Sequence, residues 1–353
     1  MSLPSFKQPF VVGTVSTSVG EVPKVASSLS PGDRVGMFKV RWGLGRMHYT
    51  VEPGLYAVGQ PNDDAPVLVT ANYKMSFDKL REVLAGRNVW ILVLDTKGIN
   101  VWCAAGKGTF GTVELVDRMR SSGVARIVSH RQLILPQLAA PGVVAYLVKK
   151  LSGFEVVYGP IRATDLPAFL DSGLRASADM RRKTFAFWER LVLIPVELVS
   201  ALKWALIIVP VMFLIGGLGG PGTFWENAFS HGLLTVAGIV AALLAGAVFT
   251  PVLLPWLPGR AFSLKGMSLG VVAGALVCIF GWDLTVSMAG RLTLVAWFVL
   301  IPAAAASLAM NFTGASTYTS LSGVKKEMRW AVPLEITAGI VGLSLWIGSR
   351  FIT

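Results

Sequence analysis

The chain has 353 residues, 53% of them hydrophobic and 15% charged, with a formal net charge of +12: too long for one ordinary domain and too apolar for two soluble ones. Its two cysteines, Cys103 and Cys278, exclude a disulfide framework and a cysteine-rich zinc or iron–sulfur module, since one cluster needs about four ligands, so any electrons must come from a partner. No RNP, zinc-finger or helix-turn-helix pattern accompanies the charge, so no nucleic acid is expected; basic loops beside a membrane account for it.

Residues 1–30 contain Ser, Pro and Gly without an apolar stretch long enough for a signal peptide, so the first half is expected to stay in the cytoplasm. Alternation in 34–51 predicts a β-hairpin or edge strands. Val67–Thr70 reads as a strand and Ser76–Leu84 as an amphipathic helix, with Ser76 as N-cap and Gly86 past its end. Val89–Leu94 is an unbroken apolar run, the pattern of a buried strand, followed by a tight turn at Lys97-Gly98. A helix then opens at Asn100 and is expected to continue to about Ser122, where Gly123 stops it. Further on, Arg126–Ser129 reads as a strand, Leu138–Leu151 as a helix, Glu155–Tyr158 as a strand and Asp165–Leu170 as a short helix. Strands alternating with helices in this way predict a parallel sheet covered on its faces.

After Met180 the pattern changes. Apolar stretches follow at 191–215, 231–251, 266–282, 292–310 and 331–348, five candidate spans on a scale where one needs about 20 residues. Arg181, Arg182, Lys183 and Arg190 precede the first, the loop 216–230 has no Lys or Arg, and the next carries Arg260 and Lys265. Arg291 is the lone cation of the following loop, and Lys325, Lys326 and Arg329 crowd the last. By the positive-inside rule the amino terminus is inside and the carboxyl terminus outside, in a multi-pass cytoplasmic (inner) membrane protein. Glu197, Lys203 and Glu335 are ionisable residues within or near the spans, placed where they mark a pathway or simply snorkel. Cys278 reads either as a thiol that could hold a soft metal ion or, more simply, as packing.

Chemistry concentrates at residues 100–112, NVWCAAGKGTFGT. An apolar strand followed by a turn and small residues fits the carboxyl end of a parallel strand, where ligands sit in open α/β sheets. A buried packing cysteine is the plain reading of Cys103 taken alone. At the amino end of a helix, however, unpaired N–H groups favour the thiolate, which binds soft metals. Ala104, Ala105 and Gly106 are small enough to admit a flat macrocycle, and Trp102 offers apolar area or packing. The GKGT run fails the P-loop spacing, so nucleotide hydrolysis is excluded; Lys107 is left as a partner for an anionic cofactor side chain or a solvated charge.

The eight residues Asn100-Val101-Trp102-Cys103-Ala104-Ala105-Gly106-Lys107, with Gly108-Thr109-Phe110-Gly111-Thr112 after them, resemble the corrinoid-binding motif of the mercury-methylation corrinoid proteins (HgcA-like), relatives of the corrinoid iron–sulfur proteins. The resemblance covers roughly 60–200 and, more loosely, the spans. It implies an α/β Rossmann-like corrinoid-binding domain (31–180) after a variable segment (1–30), then an all-α five-helix transmembrane domain (181–353). By the same resemblance Cys103 is the lower ligand of the corrinoid cobalt, with Asn100, Val101, Trp102, Ala104, Ala105, Gly106, Lys107 and Gly108 around it. Thr70 would lie at the upper face, and His130 and Gln132, in the segment reaching Pro141-Gly142, together with Gly159 between Tyr158 and Pro160, would line the pocket for the nucleotide tail. Pattern alone says only that these segments end strands. None of His48, His130 and His231 sits in the D-x-H-x-x-G signature of a histidine-ligated corrinoid.

The implied activity is methyl transfer from Cys-ligated methylcobalamin to Hg(II), forming methylmercury. A thiolate donor makes the methyl group easier to pass on as a carbanion-like species, while the protein supplies ligand, orientation and dry surroundings. The implied partners are a small ferredoxin-like protein with two 4Fe–4S clusters (HgcB-like) and, as methyl donor, methyltetrahydrofolate; no iron–sulfur cluster is expected in this chain. Alternatives are a corrinoid methyl carrier of one-carbon metabolism with another acceptor, or a membrane-tethered scaffold or sensor.

Overall fold

The structure is a computed structural model describing residues 3–220 and 222–352. It divides into one unit comprising 1–40 and 44–183 and a second comprising 41–43 and 184–353.

The first unit is built on a seven-stranded sheet. Its strands are β1 (Val11–Thr17), β2 (Gly20–Val25), β3 (Gly54–Val58), β4 (Val67–Ala71), β5 (Val89–Leu94), β6 (Gln132–Leu135) and β7 (Glu155–Tyr158), in the order β1-β2-β3-β5-β4-β6-β7. The sheet is mixed, which corrects the all-parallel expectation: β5, β4, β6 and β7 run parallel, β3 is antiparallel to β5, and β1–β2 is an antiparallel hairpin. Residues 11–25 thus pair with the sheet edge.

All six residues of β5 and all five of β4 are buried. An unbroken apolar strand is what two covered faces require. On one face Val67, Val69, Trp90 and Leu92 pack on α3 (Val101–Lys107), α4 (Thr112–Ser122), α5 (Val124–Ile127) and α6 (Ala145–Ser152). On the other, Leu68, Ile91, Val93 and Ile134 pack on Phe77 of α2 (Lys74–Val83) and Phe169 of α7 (Leu166–Asp171). Each such side chain contributes roughly 1.5–3 kcal/mol by leaving water.

Several elements differ from expectation for local reasons. Residues 34–51 are not a hairpin: α1 (Pro31–Arg41) starts with a reciprocal cap, Ser30 N donating to Asp33 Oδ2 (3.0 Å) and Asp33 N to Ser30 Oγ (3.1 Å), with Pro31 at the first helical position. Helix α2 is capped at Tyr73 with no side-chain cap, and Ser76 falls inside its first turn. The helix from Asn100 does not continue to Ser122, because Gly108 closes α3 at φ +80° and α4 begins after Gly111. Gly123 turns the chain into α5, so 126–129 is not a strand and β6 starts at Gln132. Pro141-Gly142 delays the next helix to Ala145.

The second unit has five helices long and apolar enough to cross a membrane among the described residues: Phe187–Gly216, Phe224–Leu253, Phe262–Phe280, Met288–Ala315 and Ser322–Gly348. Their contacts use small residues, as close helix approach in lipid requires: a Cβ on Gly270 would lie 2.5 Å from Pro302 Cα, and Trp297, Ile301 and Trp346 fill the centre.

Candidate functional site

The parallel strands place β4 between β5 and β6, and the chain leaves β4 towards β5 but returns to β6 on its far side. The connections therefore diverge at the carboxyl ends of β4 and β6, the place where open α/β sheets bind ligands. A cleft of about 390 Å³ opens there, largely apolar, lined by Leu68, Thr70, Tyr73, Asn100, Trp102 and Gly159 among others.

Beside it stands the first turn of α3. The Asn100 side chain accepts from Cys103 N at 2.9 Å, making Asn100 the N-cap. The Cys103 thiol is exposed. The turn feeding α3 is held by Asn72, a buried residue at the end of β4 that sequence reasoning passed over. Its Oδ1 accepts from Thr96 N (3.1 Å), Thr96 Oγ1 (2.9 Å) and Gly98 N (3.0 Å), while Nδ2 donates to Asp95 Oδ1 (3.3 Å). Ile99 O, 2.6 Å from Thr96 Oγ1, shares the single hydroxyl hydrogen of Thr96 with Asn72 Oδ1 as an alternative acceptor. One side chain thus spans the turn from Asp95 to Gly98, the kind of complete satisfaction that fixes buried geometry. Lys97 and Gly98 both have left-handed φ, +58° and +71°, and a Cβ on Gly98 would lie 2.8 Å from Met47 O, so glycine is required there. The signal in the sequence was Asn72-Tyr73 just after a buried strand, too short to interpret without the partner turn.

Burial alone would raise the Asp95 carboxyl, but Lys97, through its ammonium at 2.5 Å and its backbone N–H, outweighs it and holds Asp95 below the ordinary carboxylate range. Asp95 N donates to Glu114 Oε1 (2.8 Å), which also pairs with Arg118, tying α4 to the same turn.

The structure brings together Thr70, Asn100, Val101, Trp102 and Gly159 in the cleft wall, with Cys103 next along α3. It assigns Ala104 and Ala105 elsewhere: both are buried in the core under α3, and a Cβ on Gly142 would lie 2.9 Å from Ala105 Cα. Their smallness is explained by that packing. Gly106, Lys107 and Gly108 are exposed at the far end of α3. His130 and Gln132 are not in the wall of this cleft. Gln132 opens β6, at the amino end of the parallel strands, and the His130 ring Nε2 lies 3.0 Å from Ala65 O, just before β4. The segment reaches the cleft only through Pro136 and Leu138.

Residues 45–170, the stretch holding the cleft and Cys103, match the family model of the CO dehydrogenase/acetyl-CoA synthase delta subunit. The acetyl-CoA decarbonylase/synthase complex subunit gamma of Methanopyrus kandleri is 32% identical over 123 residues, 34% of this chain and 26% of that protein. Its counterpart in Methanocaldococcus jannaschii is 37% identical over 97 residues, 27% of this chain and 20% of that protein. The gamma 2 subunit of Methanosarcina thermophila is 32% identical over 130 residues, 36% and 27% respectively. The chain spans about a quarter of the length of these relatives. The family match ends at 170, before the first apolar helix begins at Phe187.

Proposed function

We propose that the chain is a membrane-bound corrinoid methyltransferase that passes a methyl group to Hg(II), with Cys103 as the protein ligand beneath cobalt. The observation that carries this is the run Asn100–Lys107, matching the corrinoid motif, with its cysteine exposed on the first turn of α3 beside the cleft at the diverging strand ends. A soft thiol donor with apolar walls around it suits a soft metal in a large, flat organic ligand. The cleft alone, at about 390 Å³, matches the lower end of small-molecule pockets, roughly 300–1,000 Å³. It would therefore take one arm of the cofactor rather than the whole of it.

Cys103 would hold the metal, Asn100 orient its turn, and Val101, Trp102, Thr70 and Gly159 line the wall that keeps water away. When bound, the corrinoid supplies the cobalt–methyl bond whose carbon goes to the acceptor. No proton moves in that transfer, so the polar and charged groups of the cleft wall, Thr70, Ser76, Lys79, Asn100 and Arg162 among them, would serve to bind rather than as acids or bases. The ferredoxin-like partner and methyltetrahydrofolate belong to this reading as electron and methyl donors, and the cationic loops around 181–190, 260–265 and 325–329 support an inside amino terminus and outside carboxyl terminus.

Similarity to gamma subunits of acetyl-CoA decarbonylase/synthase complexes favours a second reading, a corrinoid methyl carrier with another acceptor. Whole cells carrying the chain separate the two. The first reading expects methylmercury from added Hg(II), abolished by Cys103→Ala at unchanged protein level; no methylmercury from the unaltered chain, or full activity in the variant, rejects it.

A further inference from the structure

Helix α1 is turned the wrong way round for a helix facing water. Its inner face carries Asp33, buried and paired with Lys74 and with Arg81 (2.7 Å), and Val40, also buried. On that face Gly36 lies so close to Tyr49 that a Cβ would come 2.6 Å from the ring hydroxyl. The outer face carries the large apolar residues. Val35 is 52% and Phe38 62% exposed, and Leu44 and Met47 in the following turn are 56% and 60% exposed. Cations flank this stripe, with Arg34 and Lys39 exposed on α1, while Arg46 after it is half-buried over the Tyr73 ring and the one acid of 31–48, Asp33, is buried.

An apolar stripe edged by Arg and Lys is the pattern of a helix lying in the headgroup region of a bilayer, where the rings and aliphatic chains enter the acyl boundary and the cations meet anionic lipid. We propose that α1 and the turn through Met47 seat on the anionic cytoplasmic leaflet of the membrane crossed by the apolar helices. The occupant is argued from charge, since two cations face outward beside the stripe with no exposed acid on the helix, and from tethering, since a chain anchored by its own spans keeps lipid at high local concentration. The proposal rests on the membrane reading of the helices and is independent of the corrinoid reading.

The test uses the full chain in nanodiscs containing phosphatidylglycerol, with a single spin-labelled cysteine in a Cys103→Ser, Cys278→Ala background. Labels at Phe38→Cys and Met47→Cys are compared with Val12→Cys on exposed β1 and with Ile208→Cys in the first apolar helix, and accessibility to oxygen and to a water-soluble nickel chelate is measured. The expected result is an oxygen-to-chelate ratio at 38 and 47 several-fold above that at 12 and approaching that at 208. Arg34→Glu with Lys39→Glu should then lower it towards the value at 12. Labels at 38 and 47 as open to chelate as position 12 would overturn the proposal, and so would labels shielded from both probes, which would mean that protein covers the face. A chelate-accessible label at 208 would instead remove the membrane reading, and the proposal with it.

Discussion

Asn72 and Asp33 show how much of this unit hangs on single buried polar side chains. Asn72→Ala removes four hydrogen bonds and leaves the Thr96 and Gly98 amides unpaired, at a cost of about 1–3 kcal/mol. The expected outcome is a lower thermal midpoint and faster modification of the Cys103 thiol by a bulky maleimide, because the turn before α3 loosens; an unchanged rate would mean that Asn72 does not position Cys103. Asp33 sits among Lys74, Arg81 and Ser30. Burial alone would raise its carboxyl, but hydrogen bonds from Lys74, Ser30 and Arg81 hold it well below the ordinary 3.8. A carboxyl depressed in the folded state contributes stability that is complete above its unfolded value and is lost as pH falls towards its folded value. Thermal midpoints of the full chain should therefore decline below about pH 4. Asp33→Asn should lower the midpoint at neutral pH, consistent with breaking a buried pair at about 3–5 kcal/mol, and should flatten the acid decline. Neither residue was legible in the sequence. Asn72 acts across 24 and 26 residues on Thr96 and Gly98, and Asp33 across 41 and 48 on Lys74 and Arg81, separations no local pattern reveals.

Among the elements, α3 carries the site, and it is short because glycine makes it so. Gly108 ends it, Gly111 opens the next helix, and Gly142 packs beneath it. Gly142→Ala pushes a methyl into the Ala105 backbone and should cost about 1–3 kcal/mol of overpacking, read as a lower midpoint for loss of near-UV circular dichroism; a wild-type midpoint would contradict this account of α3. The central strands were plain in the sequence, because Val89–Leu94 is apolar throughout and only a strand covered on both faces needs that. The β1–β2 hairpin and β3 went unread. β1 is mostly exposed, with no alternation strong enough to notice, and β3 is five residues between loops. The capping signature Ser30-Pro31-Gly32-Asp33 was present, but the alternation in 34–51 outweighed it. At the site, Asn100 through Cys103 were legible as a helix start. The sequence separation of β4 from β6 hid that the two are neighbours, and that of β7 hid that Gly159, just past its end, reaches the same cleft.

For the whole molecule, composition had already separated a charged first half from an apolar second, and the five apolar helices fall where hydropathy located them, each reaching further towards its amino end than the apolar core of the stretch. Orientation is checked by cysteine substitution in intact cells: Gly222→Cys, between the first and second helices, and Thr285→Cys, between the third and fourth, should both react with a membrane-impermeant maleimide from outside, whereas Arg260→Cys, between the second and third, should react only after lysis. Reversed labelling would invert the topology. The central claim, sulfur beneath cobalt, is tested most directly by the optical spectrum of corrinoid bound to the full chain in nanodiscs, compared with its Cys103→Ala variant. The account predicts that both hold the corrinoid and that the variant loses a spectral shift which the unaltered chain imposes on it. Identical spectra from the two would contradict it.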